Sequence, residues 1–111
     1  MITSIDVTGI KYEVDKKTLK YVTEKVGNLD RYLPSHARRT MTADVKLKQV
    51  NKDHGNKYEA EVIVHVPEKT LTASDTTFNM MAAVDIVEAK LIAQLKKYKG
   101  SLTQRKVASS H

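Results

Sequence analysis

Two stretches of strict alternation, separated by six polar residues, restrict this chain to folds built around a paired-strand unit. Over residues 38–50, Met41, Ala43, Val45 and Leu47 fall on one face of an extended chain. Thr40, Thr42, Asp44, Lys46 and Lys48 fall on the other. Over residues 57–66, Tyr58, Ala60, Val62, Val64 and Val66 share a face, and Lys57, Glu59, Glu61, Ile63 and His65 oppose them. Side chains alternate across a strand, so each stretch predicts a strand with one buried and one wet face. Asn51-Lys52-Asp53-His54-Gly55-Asn56 between them has the composition of a hairpin loop. Pro67 ends the second stretch, because proline cannot donate to a strand ladder.

The apolar strand faces need cover, and the flanking sequence supplies it. Ile5 and Val7, separated by Asp6 and followed by Gly9, predict a first strand over 2–8. Asp15 suits a helix N-cap, where a carboxylate accepts from free backbone N–H groups. Leu19, Val22, Val26, Leu29 and Leu33 then recur at spacings of three and four, one apolar helical stripe. Gly27 offers room for close packing, and Pro34 stops the helix. A short strand over 69–74 points Leu71 and Ala73 inward. Asp75 then reads as the cap of a last helix running to about Lys99, with Met80, Val84, Val87, Leu91, Leu95 and Tyr98 as its stripe. The order β-α-β-β-β-α predicts an α+β fold: a four-stranded, mostly antiparallel sheet with two helices packed on one face. Residues 1–100 read as one domain and 101–111 as a disordered basic and polar tail.

Charge is distributed unevenly over this plan. The chain carries 19 Lys and Arg against 13 Asp and Glu, a net charge of +6. Residues 89–111 hold Lys90, Lys96, Lys97, Lys99, Arg105 and Lys106 and no acid, so residues 1–88 are neutral. A balanced body with a basic end points to a polyanion, most economically a nucleic-acid backbone. Lysines near a helix C-terminus also suit the helix dipole, so part of the cluster needs no partner. Lys90 and Lys97 lie two turns apart and close on the helical wheel, a spacing that can follow successive phosphates. Lys46 and Lys48 add charge on the wet strand face, and Arg38 and Arg39 open that strand. One Phe and five Tyr give no aromatic pair of the kind that stacks bases on a sheet, which favours recognition by shape and backbone.

Catalytic signals are weak. There is no Cys, no metal-ligand spacing among His36, His54, His65 and His111, no nucleophile elbow and no glycine-rich phosphate loop. No catalytic residue, cofactor or metal site is expected, and Glu59 and Glu61 read as solvated partners of neighbouring lysines. The first residues lack a signal-peptide pattern, and no window is apolar enough for a membrane span. A cytoplasmic monomer with no small-molecule substrate is the expectation. Phe78, Ala82, Ile86, Ala89 and Ala93, flanked by Ile92, form a second apolar strip on the last helix. It either packs partly on the first helix or meets a protein partner through Phe78, Ile86, Ile92 and Ala93.

The last helix also carries a family resemblance. Ala73-Ser74-Asp75, Asn79-Met80-Met81-Ala82-Ala83-Val84-Asp85 and the run Lys90-Leu91 through Gln94-Leu95-Lys96-Lys97-Tyr98-Lys99 resemble the ribosome hibernation promoting factor family, which includes protein Y. Gly9, Val14-Asp15, Tyr21-Val22, Lys25 and Leu29-Asp30-Arg31-Tyr32-Leu33 resemble its first helix and lead-in. The resemblance implies a non-enzymatic protein that binds the small ribosomal subunit and its rRNA in the channel used by mRNA and tRNA. It implies silenced translation and preserved idle ribosomes under stress or in stationary phase. By position it implies Lys90, Lys97 and Lys99 as rRNA contacts, with Lys25 and Lys96 next. Met81 replaces the family's usual Tyr, and Ile92-Ala93 stand where Glu-Arg is common. Long members add a C-terminal domain that pairs ribosomes, so this sequence reads as a short member or as the N-terminal domain of a long one. Two other readings stay open on the residues alone: a general double-stranded RNA-binding domain, and a protein-interaction module using the apolar strip.

Overall fold

A computed structural model gives the structure over residues 1–2, 4–50 and 57–109, with side chains as far as residue 100. The expected hairpin loop over 51–56 lies outside the described residues. The elements are β1 (Ser4–Ile10), α1 (Lys16–Gly27), a 3₁₀ turn (Asn28–Tyr32), a short α2 (Ser35–Arg38), β2 (Thr42–Gln49), β3 (Tyr58–Val66), β4 (Lys69–Thr77) and α3 (Met80–Ser109). The four strands form one sheet in the order β1-β2-β3-β4. β1 runs parallel to β2, and the other two pairings are antiparallel. A parallel neighbour needs a long crossover, and α1, the 3₁₀ turn and α2 provide it.

The predicted alternation decides the register. Ala43 faces Val64, Val45 faces Val62 and Leu47 faces Ala60, while Val62 and Val64 face Ala73 and Leu71. All eight are buried. α3 lies across β3 and β4 on this apolar face, and α1 and the 3₁₀ turn pack beside it. Val84, Val87, Leu91 and Leu95 of α3 are at most 1% exposed. Tyr98 donates its hydroxyl to the Pro67 carbonyl at 2.8 Å, pinning α3 to the turn between β3 and β4.

Element ends differ from the sequence expectations, each for a local reason. β1 starts at Ser4 and includes Gly9; the chain turns only at Lys11, whose φ is 54°. Asp15 does cap α1, accepting from the Thr18 N–H at 2.7 Å, and that bond holds its carboxyl below the usual carboxylate range. The buried stripe of α1 passes through Thr18, Val22 and Val26, so Leu19, a residue further round, is 42% exposed. α1 closes at Gly27, and the 3₁₀ turn tightens the chain enough to bury Leu29 and, after it, Leu33. Pro34 starts α2, so Arg38 and Arg39 stand at a helix end and not on the strand. Asp75 is not a cap: the ladder carries β4 on to Thr77, with Asp75 opposite Ala60. Asn79 takes the cap position of α3, its Oδ1 accepting from the Ala82 N–H at 3.2 Å. α3 itself runs on through Gly100 to Ser109, past the expected end at Lys99.

Two glycines sit in close quarters of different kinds. A Cβ on Gly9 would lie 2.1 Å from the Tyr12 carbonyl oxygen, a backbone atom that cannot move alone. A Cβ on Gly27 would meet Met1 Cε at 2.8 Å and Cγ at 2.9 Å, both on a flexible side chain. Gly9→Ala is therefore expected to lower stability by more than about 1 kcal/mol. Gly27→Ala, with ordinary helical backbone, should stay within about 1 kcal/mol of the parent. Urea unfolding of the two variants separates these outcomes.

Candidate nucleic-acid interface

At about 100° per residue, the core stripe of α3 leaves two flanks and an outer face. Asp85, Glu88, Ile92, Lys96 and Lys99 lie on the flank beside α1 and the 3₁₀ turn, and Lys90, Gln94 and Lys97 on the flank over β4. The lysines divide accordingly.

Most of the candidate cations in the body of the domain are engaged. Lys25 Nζ is 3.6 Å from both Asp85 and Glu88 and lies over the Tyr21 ring, so it ties α1 to α3. Lys48 is 3.4 Å from Glu59 and 3.7 Å from Glu61 on the wet sheet face. Lys46 is in register with Glu61 there, between Thr8 and Glu61 along the sheet. Arg38 Nε donates to the Leu33 carbonyl at 2.8 Å, while Arg39 is exposed. Lys90 donates to the Ser74 carbonyl at 2.9 Å and sits 3.4 Å from Asp75. One turn on, Gln94 donates to the Thr72 carbonyl at 2.9 Å. Lys90 and Gln94 thus fasten one flank of α3 to β4, and the charge of Lys90 is partly offset.

The distal turns of α3 differ. Lys96 Nζ lies 5.9 Å from the centroid of the Tyr32 ring, and the Arg31 guanidinium lies 5.2 Å from the same centroid. Arg31 also donates to the Tyr32 hydroxyl at 3.2 Å. The 3₁₀ turn therefore brings Arg31 to the side of Lys96, and Lys96, Lys97 and Lys99 are all exposed on a helix end whose sequence has no acid after Glu88. Arg31 is absent from the sequence-derived candidates. Its signals are its place beside Tyr32 in the turn that ends the first apolar stripe and its membership of the family-like run Leu29-Asp30-Arg31-Tyr32-Leu33, which points to the fold and not to binding. Lys97 points about 100° away from Lys96, so the cations straddle the helix end rather than forming one row.

The second apolar strip also divides. Ile92 is half-buried against the core, whereas Ala89 and Ala93 are exposed and Ile86 is 40% exposed. Phe78, just before α3, is 73% exposed.

Fold and charge together define a class: a small α+β domain with a mixed four-stranded sheet and a cationic helix end. The chain belongs to the family described as Sigma 54 modulation protein / S30EA ribosomal protein, whose model matches residues 5–103. That agrees with the resemblance carried by the last helix. Among characterised relatives, the chain is 34% identical over 102 residues to the ribosome hibernation promotion factor of Lactococcus lactis subsp. cremoris (strain MG1363). It is 25% identical over 100 residues to that of Staphylococcus aureus (strain COL). These alignments cover 90% of this chain in each case, and 51% and 50% of the relatives, so the chain spans about half their length. The fold matches the Thermus thermophilus protein Y N-terminal domain with a TM-score of 0.73 and 26% identity, over 86% of this chain and 99% of that one. It matches a ribosomal subunit interface protein from Coxiella burnetii with a TM-score of 0.71 and 25% identity, over 88% and 99%.

The α1–α3 contact contains one strongly shifted group. Tyr21 donates its hydroxyl to Asp85, and this bond, with desolvation and the negative charges of Asp85 and Glu88, pushes its pKa up to about 12. The fold favours neutral Tyr21, so its contribution to stability is complete below the ordinary pKa near 10 and is lost as pH rises through about 12. Absorbance titration should show one tyrosine ionising well above the others. Asp85→Asn should return it toward the ordinary range.

Proposed function

We propose that this domain binds the small ribosomal subunit in the channel used by mRNA and tRNA and silences translation there. It acts by occupancy and charge, without bond-making chemistry, and preserves idle ribosomes in the cytoplasm under stress or in stationary phase. The observation that carries this reading is the distal end of α3, where the sequence has no acid after Glu88 and where Lys96 and Arg31 meet at the Tyr32 ring beside exposed Lys97. The matched fold of a ribosomal subunit interface protein and the names of the hibernation-factor relatives support the same partner. The monomeric domain over 1–100 is the binding unit.

The contacts rank by what each cation already holds. Lys96, Lys97 and Arg31 are the principal phosphate contacts, and Lys99 joins them on the strength of the family resemblance rather than of this ranking. Lys90 contributes less, being bonded to Ser74 and Asp75, and Lys25 less again, between Asp85 and Glu88. Arg39 and Lys46 are peripheral contacts, and Arg38 and Lys48 are spent within the fold. A duplex-RNA reader with its cations at the start of the last helix fits less well, since α3 begins with Met80, Met81, Ala82 and Ala83.

Four phosphate contacts predict that log K falls against log salt with a slope of roughly −2.8 to −3.6, depending on strandedness. Lys96, Lys97 and Lys99 changed together to Glu should release the protein from small subunits in gradient cosedimentation. Lys48→Gln should leave binding near the parent level. Retained binding by the triple variant overturns the site assignment.

A further inference from the structure

Three of the six aromatic side chains meet at one groove. Tyr12 follows β1, Tyr58 opens β3 and Phe78 lies between β4 and α3, so they come from three separate segments. With Asn79 and Met81 they line an open groove of about 340 Å³ at the N-terminal end of α3. Tyr12 and Tyr58 stand edge to face, their centroids 6.0 Å apart and their planes at 77°. That contact holds both rings in place. Phe78 is 73% exposed and makes no comparable contribution to the core, so its ring is presented to whatever enters.

The groove is not simply apolar. The Tyr12 and Tyr58 hydroxyls provide donors and acceptors. Asn79 spends its Oδ1 on the helix cap, which directs its amide nitrogen to donate elsewhere. Lys11 adjoins Tyr12 in sequence, and Lys16 and Lys17 occupy the first turn of α1. Against these three lysines stand Glu13 and Asp15, and the Asp15 carboxylate is turned to the Thr18 N–H. Flat rings, hydrogen-bonding edges and a net positive surround suit a planar heteroaromatic group attached to a phosphate chain. Aromatic faces of this kind hold unpaired bases with little regard to sequence.

We propose that the groove between Tyr12, Tyr58 and Phe78 is a stacking site for one unpaired base of ribosomal RNA. The proposal deepens the rRNA reading above and rests on it. The site is separate from the distal cations: Met81 and Lys97 are 16 residues apart on α3, about 24 Å at helical rise. One RNA surface can therefore meet a base contact at one end of the helix and phosphate contacts at the other.

The test compares an end-labelled RNA octamer of adenosines with an abasic octamer of equal charge, by anisotropy titration, and adds cosedimentation with small subunits. The parent should bind the adenosine octamer more tightly than the abasic one. Phe78→Ala, an exposed position that folding does not need, should weaken adenosine binding about tenfold and leave abasic binding unchanged. Phe78→Trp should keep the affinity. Phe78→Leu should behave like Phe78→Ala, because it keeps apolar bulk and loses the ring. On small subunits, Phe78→Ala should lose a similar factor.

Equal binding of both octamers by the parent overturns the proposal, as does full affinity in Phe78→Leu. Weakened subunit binding with unchanged octamer binding also overturns it, since the groove then meets a ribosomal protein. Release from subunits by the triple lysine variant, with Phe78→Ala neutral throughout, overturns the groove and leaves the ribosome reading standing. An effect of Phe78→Ala on the adenosine octamer and on subunits, with abasic binding unchanged and no effect of the triple variant on subunits, supports the groove and removes the distal cations.

Discussion

The burial of one stripe of α3 on β3 and β4 is the interaction from which everything else takes its position. Val84, Val87, Leu91 and Leu95 bring four aliphatic side chains out of water against Val62, Val64, Leu71 and Ala73. Replacing one such Leu by Ala costs about 2–5 kcal/mol, comparable with the whole stability of a small domain. Polar anchors then remove the remaining freedom. Lys90 and Gln94 fasten one flank to β4 carbonyls, Lys25 and Tyr21 fasten the other to α1, and Tyr98 ties the distal turns to Pro67. A helix held in this way is a ruler. Whatever its two ends carry is presented at a set spacing.

Charge alone does not separate the two ends; the supply of acids does. Exposed ion pairs contribute little to stability, about 0–1 kcal/mol each, yet they determine which cations have field left over. Lys25, Lys48 and Lys90 each have a carboxylate within 4 Å. α3 has no acid after Glu88, and Arg31 arrives from the 3₁₀ turn to raise the cation density further. The Tyr32 ring tolerates this by offering its π face to both Arg31 and Lys96. On the proposed reading, a polyanion would offset the mutual repulsion of Arg31 and Lys96.

Period-two alternation made the sheet legible, because a slip of one residue would turn Val45, Val62 and Val64 to water. The helices were legible for the same kind of reason, with Val22, Val26, Leu91 and Leu95 where the spacing predicts. Boundaries were not, since they are settled by competition between neighbours. Asp75 is a good cap in isolation, but ladder bonds to β3 claimed it and passed the role to Asn79. The candidate cations were legible as charges and not as free charges. Lys48 meets Glu59 across a register known only once β2 and β3 are paired. Lys90 meets Ser74 and Asp75 only once α3 lies on β4. The meeting of Arg31 with Lys96 and the aromatic groove were hidden, because Arg31 and Lys96, or Tyr12, Tyr58 and Phe78, converge from distant segments with no local periodicity to announce them.

The departure at Ile92-Ala93 gains a physical meaning from this arrangement. Where the resembling family commonly carries Glu-Arg, Ile92 packs against the core and Ala93 is bare on the outer face of α3. Ile92 adds apolar area to the contact that holds the helix down. Ala93 leaves the outer face uncharged from Ile86 to Lys96, so positive charge is confined to the two flanks, Lys97 on one and Lys96 with Arg31 on the other. A helix about 10 Å across, charged on both sides and smooth between, cannot grip a single phosphate row from its outer face. It can enter between two backbone strands and neutralise each with one flank. On the proposed rRNA reading, a basic helix end built in this way would favour a crevice between phosphate walls, as in folded RNA, over an open duplex surface.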